Sequence, residues 1–143
     1  MAMKYLLAVD GSACAERATA ALIAHAEALA VPPEIHLVHV HPPIPIGRVQ
    51  AHIGHDTLER YYREEAEAEL TAAKARLAAA GLAFTPHIHV GQPAEVIAGL
   101  AAELDVDLIV IGSHGRGAMA ALVAGSVAAR VLHLAPCPVL MAK

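Results

Sequence analysis

The sequence predicts a single α/β domain built on a doubly wound, mostly parallel sheet of five strands. Five short apolar runs alternate with four longer stretches in which apolar residues recur at helical spacing. This alternation is typical of parallel strands joined by helices. Because such crossovers are right-handed, the helices cover both faces of the sheet. The length of 143 residues fits one domain.

The first two strands are expected at residues 5–9 and 35–40, which are short apolar runs. Between them, Ser12 can cap the start of a helix, and Pro32 and Pro33 follow the end of that helix. Residues 44–55, after the second strand, are expected to be irregular.

The longest predicted helix opens at Asp56 and stops at Gly81, a residue type that often ends helices. Its apolar residues recur three or four apart and form one face: Leu58, Tyr62, Ala66, Leu70, Ala73 and Leu77. Residues 84–90 then form the third strand.

The second half of the chain predicts two more helices and two more strands. Pro93 opens a helix whose apolar side comprises Val96, Ile97, Leu100 and Leu104. Residues 108–111 are the fourth strand, and the last helix is expected to start near Ala120. The buried face expected for that helix comprises Val123, Val127, Val131 and Leu134. Residues 139–141 form the final strand.

Composition argues against several classes of function. One Phe and no Trp argue against stacking platforms for single-stranded nucleic acid, and a formal net charge of −4 does not attract nucleic acid or an anionic membrane. No apolar run reaches the ~18–20 residues that span a bilayer, and residues 1–10 are too short for a signal peptide. Cys14 and Cys137 do not make a disulfide framework. We therefore expect a cytosolic protein.

A glycine-rich stretch follows the fourth strand. Gly112, Gly115 and Gly117 come directly after its apolar run, and Gly125 and Ser126 follow further on. Glycine lets a phosphate approach backbone N–H groups closely, and the start of a helix adds the positive end of its dipole. The pattern indicates an anion-binding loop; the alternative is that the glycines only form tight turns.

Three polar residues, Ser113, His114 and Arg116, lie within this loop. Arg116 can neutralise phosphate charge, and a solvated arginine is the alternative. The P-loop pattern with its lysine is absent, and no Lys lies between Gly112 and Ser126. Because phosphoryl transfer requires charge neutralisation at the transferred group, we do not expect an enzyme.

The spacing of Gly112, Gly115, Gly125 and Ser126 resembles the nucleotide-binding pattern of the universal stress protein family. The resemblance extends over residues 1–143 and includes three further segments: VDGS at 9–12, LVHV at 37–40 and APCPVL at 135–140. It implies the strand order 3-2-1-4-5, in a Rossmann-like or flavodoxin-like three-layer sandwich. The connections then reverse between the first and fourth strands, where ligands bind in sheets of this class.

The resemblance also implies that ATP, or another adenine nucleotide, occupies this crevice. The residues implied at the nucleotide are Ala8, Val9, Asp10, Val40, Gly112, Ser113, His114, Gly115, Arg116, Gly117, Gly125, Ser126 and Val127. Ala8 and Val9 would form the adenine-side wall, and Val40 would offer backbone groups to the base. Asp10 would lie near the ribose or the phosphates through Mg²⁺ or Mn²⁺. Its alternative role is to cap the turn before the first helix.

The ten histidines raise a separate metal hypothesis. His39 and His41 lie on one face of a strand, as do His87 and His89, but none has the spacing to cysteine of a structural zinc site. A shared metal site and scattered core and surface histidines both stay open. Cys14 falls in the first turn of a helix, where the dipole can lower the pKa of its thiol; the alternative is an inert buried cysteine.

We expect a stress-response sensor or adaptor that binds ATP and forms a homodimer through its last strand, residues 139–141. Two alternatives stay open: a nucleotide-independent interaction module of the same fold, and a slow ATP hydrolase. Alanines at 118, 120 and 121 replace the glycine and basic residues that many nucleotide-binding family members carry there, which removes a possible positive charge beside the phosphates.

Overall fold

The computed structural model describes residues 2–44, 54–115 and 124–143. Within these ranges strands and helices alternate along the chain: β1 (Lys4–Ala8), α1 (Ala13–Glu27), β2 (Glu34–His41), α2 (His55–Ala79), β3 (Phe84–Val90), α3 (Pro93–Glu103), β4 (Leu108–Gly112), α4 (Ser126–Leu134) and β5 (Val139–Ala142). The strands form one sheet in the order β3-β2-β1-β4-β5, with every neighbouring pair parallel. The α/β fold and the order 3-2-1-4-5 are confirmed.

Side chains of β1 alternate between two hydrophobic layers, one on each face of the sheet. Tyr5 and Leu7 pack with residues of α1 and α2. Leu6 and Ala8 pack with residues of α3 and α4. Because β1 and β4 are buried on both faces, their sequences are nearly continuous apolar runs, without polar alternation. β2 is buried along most of its length as well, although its sequence includes His36 and His39. The result is the three-layer sandwich that the resemblance implied.

Local signals fix the ends of α1 and α2. Ser12 caps α1, and its hydroxyl accepts a hydrogen bond from the backbone N–H of Ala15 at 3.1 Å. α2 begins at His55, one residue before the expected Asp56. Gly81 follows its end with a φ of 74°, a left-handed conformation that glycine adopts without strain.

The buried face of α4 differs from the expectation. The buried residues are Ala128 and Val131, whereas Val127 and Leu134 are each 36% exposed. Val127 lies in the first turn of α4, where it lines a cavity and does not enter the core. The apolar spacing of the sequence does not distinguish a core face from a cavity wall. The expected helix start near Ala120 and the predicted Val123 lie outside the described residues.

The two edge strands of the sheet are β3 and β5. Pro86 lies in the middle of β3, so that edge lacks one backbone donor. β5 contains no proline, and its side chains are half-buried. Across the described ranges, no helix combines the length and apolar character that crossing a membrane requires.

Candidate functional site

A cavity of about 610 Å³ opens at the carboxyl ends of β1, β2 and β4. It lies where the strand order reverses, the position at which parallel α/β sheets bind ligands. The cavity brings together most of the residues predicted from the sequence: Ala8, Val9, Asp10, Val40, Gly112, His114, Gly115, Gly125, Ser126 and Val127. Ser113 does not line it, since that residue is 2% exposed and lies beneath the loop. Arg116 and Gly117 lie outside the described residues.

Close packing explains Gly112 and Gly115, and leaves room for a Cβ at Gly125. A Cβ at Gly112 would lie 2.7 Å from the backbone carbonyl carbon of Cys14. A Cβ at Gly115 would lie 2.5 Å from Oδ2 of Asp10, and one at Gly125 would lie 3.4 Å from Ser113 O. Gly112 therefore lets the end of β4 approach the start of α1, and Gly115 lets the loop after β4 approach Asp10.

The two described ends of the loop are joined by backbone hydrogen bonds. The N–H of Gly125 donates to Ser113 O at 2.6 Å, which sets the start of α4 beside the end of β4. Gly125 is the N-cap of α4 and offers no side-chain hydrogen bond to it, and no acidic residue lies in the first turn. The free N–H groups and the dipole of this helix start favour an anion at Ser126.

Asp10 lies between β1 and the loop. Its Oδ1 accepts a hydrogen bond from the backbone N–H of Ser12 at 2.9 Å, so the residue does cap the turn before α1. Its Oδ2 faces Gly115. The capping role and a role at the cavity therefore use different oxygens of one carboxylate.

Cys14 and Ser113 are buried residues that pack beneath the glycine-rich loop after β4. The guanidinium of Arg17 donates to the sulfur of Cys14 at 3.0 Å, and Ser113 Oγ lies 4.0 Å from that sulfur and 3.0 Å from His114 Nδ1. Burial raises the pKa of the Cys14 thiol, but hydrogen bonds from the backbone of His114, from Ser113 and from Arg17 outweigh burial and hold this pKa below its ordinary value. Cys14 is therefore a buried cysteine whose thiol has a lowered pKa.

Sequence reasoning missed the side of the cavity that faces α2 and α3. The additional lining residues are Ser12, Ala15, Val38, His39, His41, Pro42, Glu65, Glu69, Pro93, Ile97, Ile111 and Ala128. His39 and His41 are two residues apart and therefore share one face of β2. Glu65 and Glu69 are four residues apart and therefore share one face of α2. Their spacing was visible in the sequence, but no local pattern indicates which helix approaches the carboxyl end of β2.

Three further histidines, His36, His87 and His89, form a separate cluster at β2 and β3. Nδ1 of His36 lies 2.9 Å from Nε2 of His87, and Nε2 of His36 lies 2.8 Å from a carboxylate oxygen of Glu34. The rings of His87 and His89 stack with centroids 6.4 Å apart. Among the described residues, no group of three or more His, Cys, Asp or Glu side chains could hold a metal ion.

Comparisons with known proteins agree with this geometry. The model of the universal stress protein family matches residues 1–143. A universal stress protein of Thermus aquaticus, from the 3′ region of a QAH/OAS sulfhydrylase, is 37% identical over 142 residues that cover 96% of each chain. The solved structure of hypothetical protein MJ0577 has a TM-score of 0.85 at 31% identity and covers 100% of this chain and 96% of its own. That of a universal stress protein from Archaeoglobus fulgidus, in complex with dAMP, has a TM-score of 0.70 at 26% identity over 99% of this chain and 98% of its own.

Proposed function

The chain belongs to the universal stress protein family, and we propose that it binds ATP, or another adenine nucleotide, in the crevice between β1 and β4. The observation that carries the proposal is the meeting of three features at one cavity: the glycine loop after β4, the uncapped start of α4, and Asp10. The first two attract phosphate, and the volume of about 610 Å³ is within the usual range for small-molecule sites.

A structural relative supports the adenine part of the proposal. The Archaeoglobus fulgidus protein, which shares the fold over almost the whole chain, was solved in complex with dAMP. In this chain the side of the cavity toward β2 is lined by apolar groups of Val38, Val40 and Ile97. An apolar wall of this kind suits the faces of a base, and backbone groups at the end of β2 suit its polar edge.

Asp10 is suited to a divalent cation once a nucleotide is present. A carboxylate beside a triphosphate is repulsive unless a cation such as Mg²⁺ or Mn²⁺ lies between them, and both ions prefer oxygen ligands. One protein carboxylate together with phosphate oxygens is the common way in which proteins hold Mg²⁺. Oδ2 of Asp10, which faces Gly115, is the oxygen available for this role.

We propose a sensor or adaptor and not an efficient enzyme. Among the described residues that line the cavity, none is Lys or Arg. Phosphoryl transfer requires positive charge at the transferred group, and a cation held by Asp10 together with Arg116 would be a small set for that task. A slow hydrolase stays the second candidate. The free thiols of Cys14 and Cys137 suit the reducing cytosol, where we propose that the protein acts.

The test compares two glycine substitutions. In Gly115→Val the new side chain would lie against Asp10 Oδ2 and block the approach of phosphate, so ATP binding measured by titration calorimetry should be lost. Because the new Cβ would lie 2.5 Å from Asp10 Oδ2, this carboxylate must shift, and the free energy of unfolding should fall by roughly 1–2 kcal/mol while the fold, followed by circular dichroism, is retained. Gly99→Ala is the control, since a Cβ on this exposed face of α3 meets nothing within 4 Å. Unchanged ATP affinity in Gly115→Val would place the nucleotide elsewhere.

A further inference from the structure

An exposed ion pair joins α3 to α4 beside the proposed nucleotide cavity. Nε of Arg130 donates to Oε1 of Glu95 at 2.5 Å, and this hydrogen bond lowers the pKa of the Glu95 carboxyl, which is therefore ionised at neutral pH. Among the described residues, Nη1 and Nη2 of Arg130 make no hydrogen bond. Because most donors of a guanidinium are on these two nitrogens, Arg130 can bind a second anion.

Arg130 is within reach of the cavity. It follows Ser126 by one helical turn and Val127 by three residues, and both of these residues line the cavity. Side chains on a helix lean toward its N-terminus, so the guanidinium can cover the roughly 6 Å of helix rise that separates Arg130 from Ser126. Glu95 comes two residues after Pro93, which lines the same cavity from the first turn of α3. The ion pair therefore lies at the rim of the cavity, where these two helices begin.

The phosphate side of this cavity lacks positively charged side chains. Among the described lining residues none is Lys or Arg, whereas Asp10, Glu65 and Glu69 are acidic. The start of α4 and the glycine loop can hold one phosphate through backbone N–H groups, but the further phosphates of a triphosphate need additional positive charge. Arg130 is the arginine of α4 and lies on the turn next to that helix start. This step rests on the proposed function, which puts the phosphates at the start of α4.

We propose that Arg130 is a switch that senses the length of the phosphate chain. In the structure its guanidinium pairs with Glu95; when a nucleoside triphosphate binds, it turns to the terminal phosphate, whose oxygens fit the planar guanidinium two at a time. A monophosphate, held between Gly115 and the start of α4, leaves the rim unoccupied and Arg130 on Glu95. The site thereby favours nucleoside triphosphates over monophosphates, and a triphosphate releases the Glu95 carboxylate on the surface of α3.

Titration calorimetry with ATP and with AMP, both in the presence of Mg²⁺, tests this inference through the ratio of the two affinities. Arg130→Gln removes the charge, so ATP affinity should fall by roughly tenfold while AMP affinity stays within about twofold. Glu95→Gln removes the competing carboxylate, so ATP affinity should rise by about twofold to fivefold, the range that an exposed ion pair allows, with AMP affinity unchanged. Lys74→Gln is the matched control, because it removes a charge of the same sign from a surface ion pair of α2 and should leave the ratio unaltered.

The opposite effects of the two substitutions distinguish a switch from a purely structural contact. If the ion pair only held α3 against α4, Arg130→Gln and Glu95→Gln would change the affinities in the same direction, and that result overturns the proposal. An unchanged ratio of ATP to AMP affinity in either variant overturns it as well.

These outcomes are separate from a failure of the proposed function. If the wild type binds neither nucleotide, the proposed function is wrong and the switch falls with it; if the wild type binds both and Arg130→Gln keeps the ratio, the role of Arg130 alone is wrong. Should Arg130→Gln fail to fold, as judged by circular dichroism, the ¹⁵N resonance of Arg130 Nε in labelled wild type decides. It should shift when ATP is added and stay in place with AMP, and no shift with ATP overturns the proposal.

Discussion

At the residue scale, Asp10 combines a structural and a proposed ligand-binding role in one side chain. Its Oδ1 accepts the N–H of Ser12, and its Oδ2 faces the glycine loop. The sequence allowed both roles for Asp10, and the geometry makes them compatible because they use different oxygens. A substitution that keeps the acceptor but removes the charge can therefore separate them.

Asp10→Asn is the variant that makes this separation. Its amide oxygen can still accept from Ser12, so its free energy of unfolding should stay close to that of the wild type, whereas Asp10→Ala should lose about 1 kcal/mol with the capping bond. Both variants should lose the dependence of ATP affinity on Mg²⁺, since neither retains the carboxylate. Titrations with Mg²⁺ and with EDTA measure this. If EDTA leaves the wild-type affinity unchanged, the bridging role of the cation is wrong.

At the scale of the elements, the sequence predicted every strand to within about one residue at either end. β1 and β4 are continuous apolar runs, which are typical of buried strands, whereas β2 and β3 also contain histidines. The start of α4 could not be predicted in the same way. This start is fixed by the long-range hydrogen bond from the N–H of Gly125 to Ser113 O. The apolar side chain of Val127 lines the cavity and does not belong to the buried face of the helix. The glycine pattern identified the phosphate side of the site, whereas the base side depends on how β2 and α2 approach in three dimensions.

The contact between β2 and β3 also depends on register, which aligns Val38 with His87 and brings His87 to His36. Burial lowers the pKa of His87, electrostatic repulsion from the neighbouring His36 and His89 lowers it further, and Glu103 on α3 opposes these effects. A lowered pKa in the folded state means that the unfolded chain takes up this proton more readily. The contribution of His87 to stability is therefore complete above its ordinary value of 6.5 and declines as pH falls below it.

Urea unfolding between pH 8 and pH 5 tests the contribution of His87 to the pH dependence of stability. Stability of the wild type should begin to fall near pH 6.5, and the loss due to His87 should level off once pH is below the folded-state pKa. His87→Gln, which can still donate to His36, should show a shallower fall. His55→Gln should keep the wild-type slope, because His55 is exposed and its ion pair with Glu59 lies on the surface of α2. If the free energy of unfolding falls equally steeply with decreasing pH in the wild type and in His87→Gln, His87 is not the group responsible.

At the scale of the whole molecule, the open edge of β5 suits pairing with a second copy. Pro86 interrupts the opposite edge at β3, whereas β5 keeps its donors. The carbonyls of Pro138 and Ala142 accept from β4, so by alternation Val139 and Met141 direct their backbone groups outward. Because Ala142 O accepts from the N–H of Ser113 at 2.6 Å, this strand is also tied to the glycine loop. A homodimer through β5 would therefore place the interface next to the proposed nucleotide site.

Met141→Pro tests the homodimer. It removes a donor of the outward edge, so the dimer should weaken while the monomer fold is retained. Leu140→Pro is the contrasting variant, since it would remove a hydrogen bond to β4 and destabilise the monomer itself. Light scattering and sedimentation report the oligomeric state, and denaturant unfolding reports the fold. A wild type that is a monomer of about 14.8 kDa at high micromolar concentration would contradict the proposed interface.

The most direct test of the central proposal is a titration of ¹⁵N-labelled wild-type protein with ATP and Mg²⁺, followed through the backbone amide resonances. If an adenine nucleotide binds at the carboxyl ends of β1 and β4, the saturable shifts will concentrate at Gly112, Gly115, Gly125 and Ser126, with a second group at the end of β2 around Val40. No shift at millimolar ATP, or saturable shifts confined to another surface, would contradict the proposed function.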